Sequence, residues 1–138
     1  MQSQLAYRHE LKYEIGLPEY LTLRQRLGSL LRRDAHVGSG GRYAIDSLYF
    51  DNCFDRALRE KLDGVNRREK FRLRCYNGDL SRITLEKKQK VHQLCLKRSA
   101  LIGRNCCQRL LQGDADWLPG EADELLQELD FKIKTHLL

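Results

Sequence analysis

Between Arg67 and Tyr76 the chain alternates from Lys70 onward. Phe71, Leu73 and Cys75 fall on one side, and Arg68, Lys70, Arg72, Arg74 and Tyr76 on the other. Residues two apart share a face only in an extended chain, so this stretch is a strand with one apolar and one cationic face. Tyr7 to Ile15 repeats the pattern: Tyr7, His9, Leu11, Tyr13 and Ile15 oppose Arg8, Glu10, Lys12 and Glu14. A fold containing such strands must bury one side of a sheet and leave the other in contact with water or with an anion.

The remaining segments fill out an α+β architecture. Strands are expected at about 7–15, 43–51, 67–76, 82–90 and 93–102. Asn77-Gly78-Asp79 is a turn that makes the third and fourth strands an antiparallel hairpin. Helices are expected at about 18–33, 53–62, 104–111 and 120–136. The first begins at Pro18-Glu19 and carries Tyr20, Leu23, Leu27, Leu30 and Leu31 at helical spacing. Asn52 is placed to cap the second, with Asp51 either a helix-start group or a ligand. The last carries Leu125, Leu126, Leu129 and Ile133, and Trp117 is expected to pack between the closing helices. Asp34 to Gly41 is glycine-rich but lacks the G-x-x-x-x-G-K-[ST] pattern, and reads as a connector.

With 138 residues the chain amounts to one domain, expected to span 1–138. Its 41% hydrophobic and 32% charged residues exclude a disordered polyelectrolyte. No apolar run approaches the ~20 residues of a membrane span, and no signal peptide is visible, so a cytoplasmic setting is expected. The five cysteines (Cys53, Cys75, Cys95, Cys106 and Cys107) form no C-x-x-C pair, and the four histidines stand at no ligand-like spacing from them. They read as small buried hydrophobes. Lys and Arg exceed Asp and Glu by 25 to 19, which suits an anionic partner but does not identify one.

The position of the basic residues says more. The charged strand faces together hold Arg8, Lys12, Arg68, Lys70, Arg72, Arg74, Lys88, Lys90 and Lys97, with Glu10, Glu14 and Glu86 among them. A solvated sheet face is the plain reading. Against it, like charges side by side on a strand are costly without an anion between them. Carboxylates at fixed offsets from these bases suggest a site where bases hold phosphate oxygens and acids hold a divalent metal. Nucleic acid is not expected, because no array of stacking aromatics accompanies the bases.

These segments also resemble a known family. Tyr7-Arg8-His9-Glu10-Leu11-Lys12-Tyr13 is similar to the R-x-E-x-K-Y strand that opens the VTC (vacuolar transporter chaperone) polyphosphate polymerase domain. Ser47-Leu48-Tyr49-Phe50-Asp51, Phe71-Arg72-Leu73-Arg74-Cys75-Tyr76, Leu85-Glu86-Lys87-Lys88 and Leu96-Lys97-Arg98-Ser99 resemble its later strands, in order. The resemblance implies a CYTH-like antiparallel β-tunnel with helices outside and phosphates within. It implies transfer of the ATP γ-phosphate onto a polyphosphate chain, assisted by Mn²⁺ or Mg²⁺. By position, Arg72, Arg74 and Lys88 would carry the catalytic charge stabilisation. Lys12, Lys97 and Arg8 would join them in binding phosphate. Glu10 and Glu86 would be either metal ligands or salt-bridge partners. The expected partners are ATP and polyphosphate or inorganic phosphate, together with a membrane protein or a second copy joined through open sheet edges.

The family's tunnel has about eight strands and five are expected here, so the 138 residues alone are expected to have weak polymerase activity or none. Two alternatives stand beside the polymerase. One is a tunnel triphosphatase, although hydrolytic relatives tend to open with E-x-E-x-K and position 8 here is arginine. The other is a non-catalytic polyphosphate- or anion-binding module.

Overall fold

The computed structural model describes residues 6–113 and 124–129. In chain order it contains β1 (Arg8–His9), α1 (Leu17–Leu30), β2 (Ile45–Phe50), α2 (Arg56–Leu62), β3 (Arg67–Tyr76), β4 (Ile83–Val91), β5 (Leu94–Ile102) and α3 (Arg104–Leu111). Residues 124–129 form a further helical stretch, α4. The strands make one open antiparallel sheet in the order β1-β5-β4-β3-β2.

Local chemistry sets the hairpins. Asn77 and Gly78 both take positive φ, the conformation in which asparagine and glycine are least strained, and the Asp79 amide donates to the Tyr76 carbonyl at 3.0 Å. The Asp79 carboxylate then accepts from the Ser81 amide and hydroxyl, which starts the chain into β4. At the next turn His92 takes φ +54°, and its amide donates to the Asn66 carbonyl at 2.7 Å, tying the β4–β5 turn to the start of β3.

One face of the sheet holds the core. Phe71 and Leu73 from β3, Ile83 and Leu85 from β4, and Ala100 and Ile102 from β5 are buried. Cys107 and Leu110 from α3 and Leu125, Leu126 and Leu129 from α4 pack with them. At the rim of this face Lys87 pairs with Glu69 at 3.0 Å and with Glu128, while Arg98 bonds Glu128 and, at 3.0 Å, Glu124. These pairs fix α4 to the sheet. All five cysteines are free thiols; Cys75, Cys95 and Cys107 are buried, Cys106 is half-buried and Cys53 is exposed.

The third, fourth and fifth strands fall where the alternation places them. The first does not. The strand expected over 7–15 pairs only at Arg8↔Cys95 and His9↔Leu94. β5 begins at Leu94, so the antiparallel chain beyond His9 runs past the end of its partner. Leu11, Tyr13 and Ile15 are consequently exposed. The first helix forms but ends at Leu30, and its apolar stripe does not pack: none of its residues is buried. The helix expected at 120–136 is seen at 124–129; its other residues, Ile133 among them, and Trp117 lie outside the described residues.

Candidate anion-binding face

The register of β3, β4 and β5 lays the charged side chains out in rows on the face opposite the core. Lys70 pairs with Lys88, and Lys88 with Lys97, so three lysines stand directly opposite one another across three strands. One row away Arg72 faces Glu86, and Glu86 faces Ser99. On the other side Arg68 faces Lys90, Lys90 faces Cys95, and Cys95 faces Arg8. Like charges directly opposite on a sheet repel, and an anion laid along the rows would relieve that repulsion.

Glu86 organises part of this surface. It is only 4% exposed although it is on the charged face. Arg72 donates from Nε to its Oε2 at 2.6 Å, Lys97 Nζ reaches Oε1 at 2.6 Å, and Arg74 Nη1 stands 3.9 Å away. Burial pushes the Glu86 carboxyl up, but the hydrogen bonds from Lys97 and Arg72 outweigh it and hold the group below the usual carboxylate value. Arg72 also donates to the Tyr49 hydroxyl at 3.0 Å, which lowers the phenol below its ordinary pKa. Arg74 is less well held. Its Nη1 is 3.4 Å from the Tyr76 hydroxyl, and its buried Nε has no hydrogen-bond partner among the described residues. His36 stacks on Tyr76 with ring centroids 3.8 Å apart, so the loop after α1 covers that end of the face.

The other part is differently balanced. Lys88 pairs with Glu10, and Lys12, its side chain 85% exposed, stands 4.0 Å from the same carboxylate. Lys88 is the main reason that Glu10 titrates below the ordinary range. Lys70, Lys90 and Lys61 carry no ion pair among the described residues. Lys70 lies with its ammonium 5.0 Å from the centre of the Tyr49 ring. Burial lowers its pKa; the Tyr49 phenolate would raise it, and the neighbouring charges of Lys88, Arg72 and Lys61 lower it further. A cavity of about 330 Å³ opens here between the sheet and α2, with Lys12, Lys61, Arg68, Lys70, Lys88 and Lys90 among its lining. A larger cavity of about 490 Å³ lies by the β2–α2 connection; there the cations Arg56, Arg67, Arg68 and Lys70 are offset by the acids Asp51, Glu60 and Glu69 and interspersed with apolar side chains.

The sequence-derived candidates thus separate into groups. Arg72, Arg74 and Lys97 gather on Glu86; Lys88 and Lys12 gather on Glu10; Arg8 is exposed on the edge strand. Asp51 is a helix-start group: its Oδ1 accepts from the Ala57 amide at 2.8 Å and its Oδ2 from the Leu58 amide at 3.1 Å, while Asn52 accepts from the Arg56 amide. The donors present do not suit a divalent metal held by protein side chains alone. Among the described residues no three His, Cys, Asp or Glu side chains gather, and Glu10 and Glu86 spend their oxygens on cations. Arg68, Lys70 and Lys90 are on the charged faces read from the sequence but carry no assigned role there, and Lys61 is not among those residues. The β3–β4 register would have aligned Lys70 with Lys88, and the four-residue spacing of Ala57 and Lys61 puts both on one side of α2.

Comparison with known proteins gives one family: the model of the VTC domain matches residues 7–138. No curated protein matches the chain.

Proposed function

We propose, from the premise that this chain belongs to the VTC domain family, that its cationic sheet face binds a chain of condensed phosphates and serves polyphosphate synthesis with ATP as phosphoryl donor. The observation that carries the reading is the cross-strand row Lys70–Lys88–Lys97, flanked by Arg72 and Arg74. A linear polyanion laid across three strands would neutralise charges that otherwise oppose one another.

Phosphoryl transfer asks the protein for in-line positioning and for positive charge around the migrating group, and little covalent chemistry. Arginine forks engage two phosphate oxygens at once, and lysines act as point charges that tolerate a sliding chain. Arg72 and Arg74 suit the first task, and Lys88, Lys97, Lys12 and Arg8 the second. The Mn²⁺ or Mg²⁺ expected from the family resemblance finds no fitting set of donors among the described residues. No described helix is long and apolar enough to cross a membrane; work at the cytoplasmic side, through a membrane partner or a second copy, remains part of the proposal.

A second reading, a binding module without turnover, is favoured by the engagement of Arg72 and Lys97 with Glu86. Titration of the 138-residue protein with triphosphate, followed by incubation with ATP and Mn²⁺, separates the two. Saturable triphosphate binding supports the phosphate-chain reading; polymer formation selects synthesis, and binding without polymer selects the module. Absence of binding to triphosphate and to long-chain polyphosphate would overturn both.

A further inference from the structure

The cationic face is not uniformly available to a ligand. Arg72 and Lys97 each donate to the buried Glu86 carboxylate at 2.6 Å, so their charge is already answered from within the protein. Across the row, Lys61, Lys70 and Lys90 have no acidic partner among the described residues, and Arg68 turns one guanidinium nitrogen to the Val65 carbonyl at 3.1 Å. These four line one cavity with Lys88, and of the two acids that line it among the described residues Glu10 pairs with Lys88. Glu69 borders the same cavity but pairs with Lys87 towards the core side.

We infer that Glu86 acts as a built-in substitute for phosphate that divides the face into a half whose cations already share a carboxylate and an open half, and that a condensed phosphate docks first on the open half, at Lys61, Arg68, Lys70, Lys88 and Lys90. The inference rests on the phosphate-chain reading and deepens it, because it assigns the first contact to residues other than the arginine pair.

Three observations agree. The open half is concave, and its volume of about 330 Å³ is at the lower end of the range for small-ligand sites. It has two walls, since Lys61 comes from α2 while the other cations come from the sheet. Lys70 is held below its usual pKa by burial and by like charges, the condition that a bound anion reverses. The halves meet at the Lys70–Lys88–Lys97 row, so a longer chain would extend from the open half towards Lys97 and compete with Glu86 for its ammonium. Arg74, 3.9 Å from Glu86 and with its Nε unpartnered, is the least committed cation in the closed half and the next contact for such a chain.

The test is calorimetric titration of the 138-residue protein with pyrophosphate and triphosphate, using Lys70→Met, Lys90→Met, Lys61→Gln, Lys97→Met and Glu86→Gln variants. Each open-half substitution should weaken pyrophosphate binding roughly tenfold, the value of one charge-assisted contact. Lys97→Met should weaken pyrophosphate less than any open-half substitution does, and triphosphate more than pyrophosphate, because only the longer chain reaches that ammonium. Glu86→Gln should tighten triphosphate more than pyrophosphate. Removing one of several crowded lysines relieves repulsion, so the open-half variants should fold even if Glu86→Gln does not, and far-ultraviolet circular dichroism checks this for each. If Lys97→Met abolishes binding while Lys70→Met and Lys90→Met leave it intact, the inference is wrong and the phosphate-chain reading stands. If the unsubstituted protein binds neither anion nor long-chain polyphosphate, both are wrong.

Discussion

Leu85 and Glu86 are neighbours in β4, both almost fully buried, and they point to opposite sides of one sheet. Leu85, fully inaccessible, sits among Leu73, Ala100 and the helices of the core. Glu86 is covered by the arginines and the lysine that it attracts. The apolar side is stabilised by removal from water and by close packing, which depend little on pH and salt. The charged side depends on matching charges, and a partly buried carboxylate is tolerated there only while its partners remain. The same strands therefore carry one face built for permanence and one whose contacts can be exchanged for those of a ligand.

The largest expected effect lies on the apolar face. Leu85→Ala should destabilise the fold by about 2–5 kcal/mol, as large-to-small changes at closed core sites do, measured by urea unfolding. Triphosphate affinity should be unchanged under conditions where the variant is folded. A loss of affinity matching the loss of stability would show that the faces are not separable.

The charged face should respond to acid. Glu86 on this face, and Glu128 at the rim of the core face, both titrate below the ordinary glutamate value of about 4.3 in the folded protein. A depressed folded pKa contributes stability that is present above the unfolded value and is lost as pH falls through the folded one. Unfolding free energy should thus decline below about pH 4.3, and Glu86→Gln should flatten that decline. Leu85→Ala should lower the whole curve without altering its slope. Glu128, more exposed than Glu86, contributes less because solvent screens its pairs.

The smallest effect is expected at Tyr49. Tyr49→Phe removes the hydroxyl that accepts from Arg72 and should cost about 0.5–1 kcal/mol, the net worth of a hydrogen bond in a half-exposed setting. Arg72 keeps Glu86, so triphosphate binding should change little. A large loss of binding would mean that Tyr49 orients Arg72 towards the ligand.

What the sequence revealed followed from where its local signals were strong. The alternation of Arg67–Tyr76, the Asn77-Gly78 turn and the apolar positions of β4 and β5 act over a few residues, and the structure follows them. Equal alternation in residues 7–15 did not suffice, because pairing needs a partner of matching extent and β5 begins only at Leu94. The helical spacing of α1 likewise specified a helix without specifying what it packs against. Within the site, the types of the charged residues were evident and their pairing was not. Glu86 reads in sequence as a metal ligand or a salt-bridge partner, and only the register across β3, β4 and β5 brings Arg72 and Lys97 to it from either side. Lys61 escaped notice because it stands on a helix, outside the two-residue alternation from which the charged faces were read, although that helix directly precedes β3.

The order of the strands also bears on how the molecule assembles. β2, β3, β4 and β5 neighbour one another in sequence as well as in space, so their pairing closes only short stretches of chain. β1 alone must return across most of the sequence, and two residue pairs repay that loss of chain freedom. Glu10 follows directly after β1, so an edge strand that frays from β5 takes away the carboxylate that pairs with Lys88. A polyanion in the surrounding solution would therefore compete for Lys88 with an edge strand that only two residue pairs hold in place.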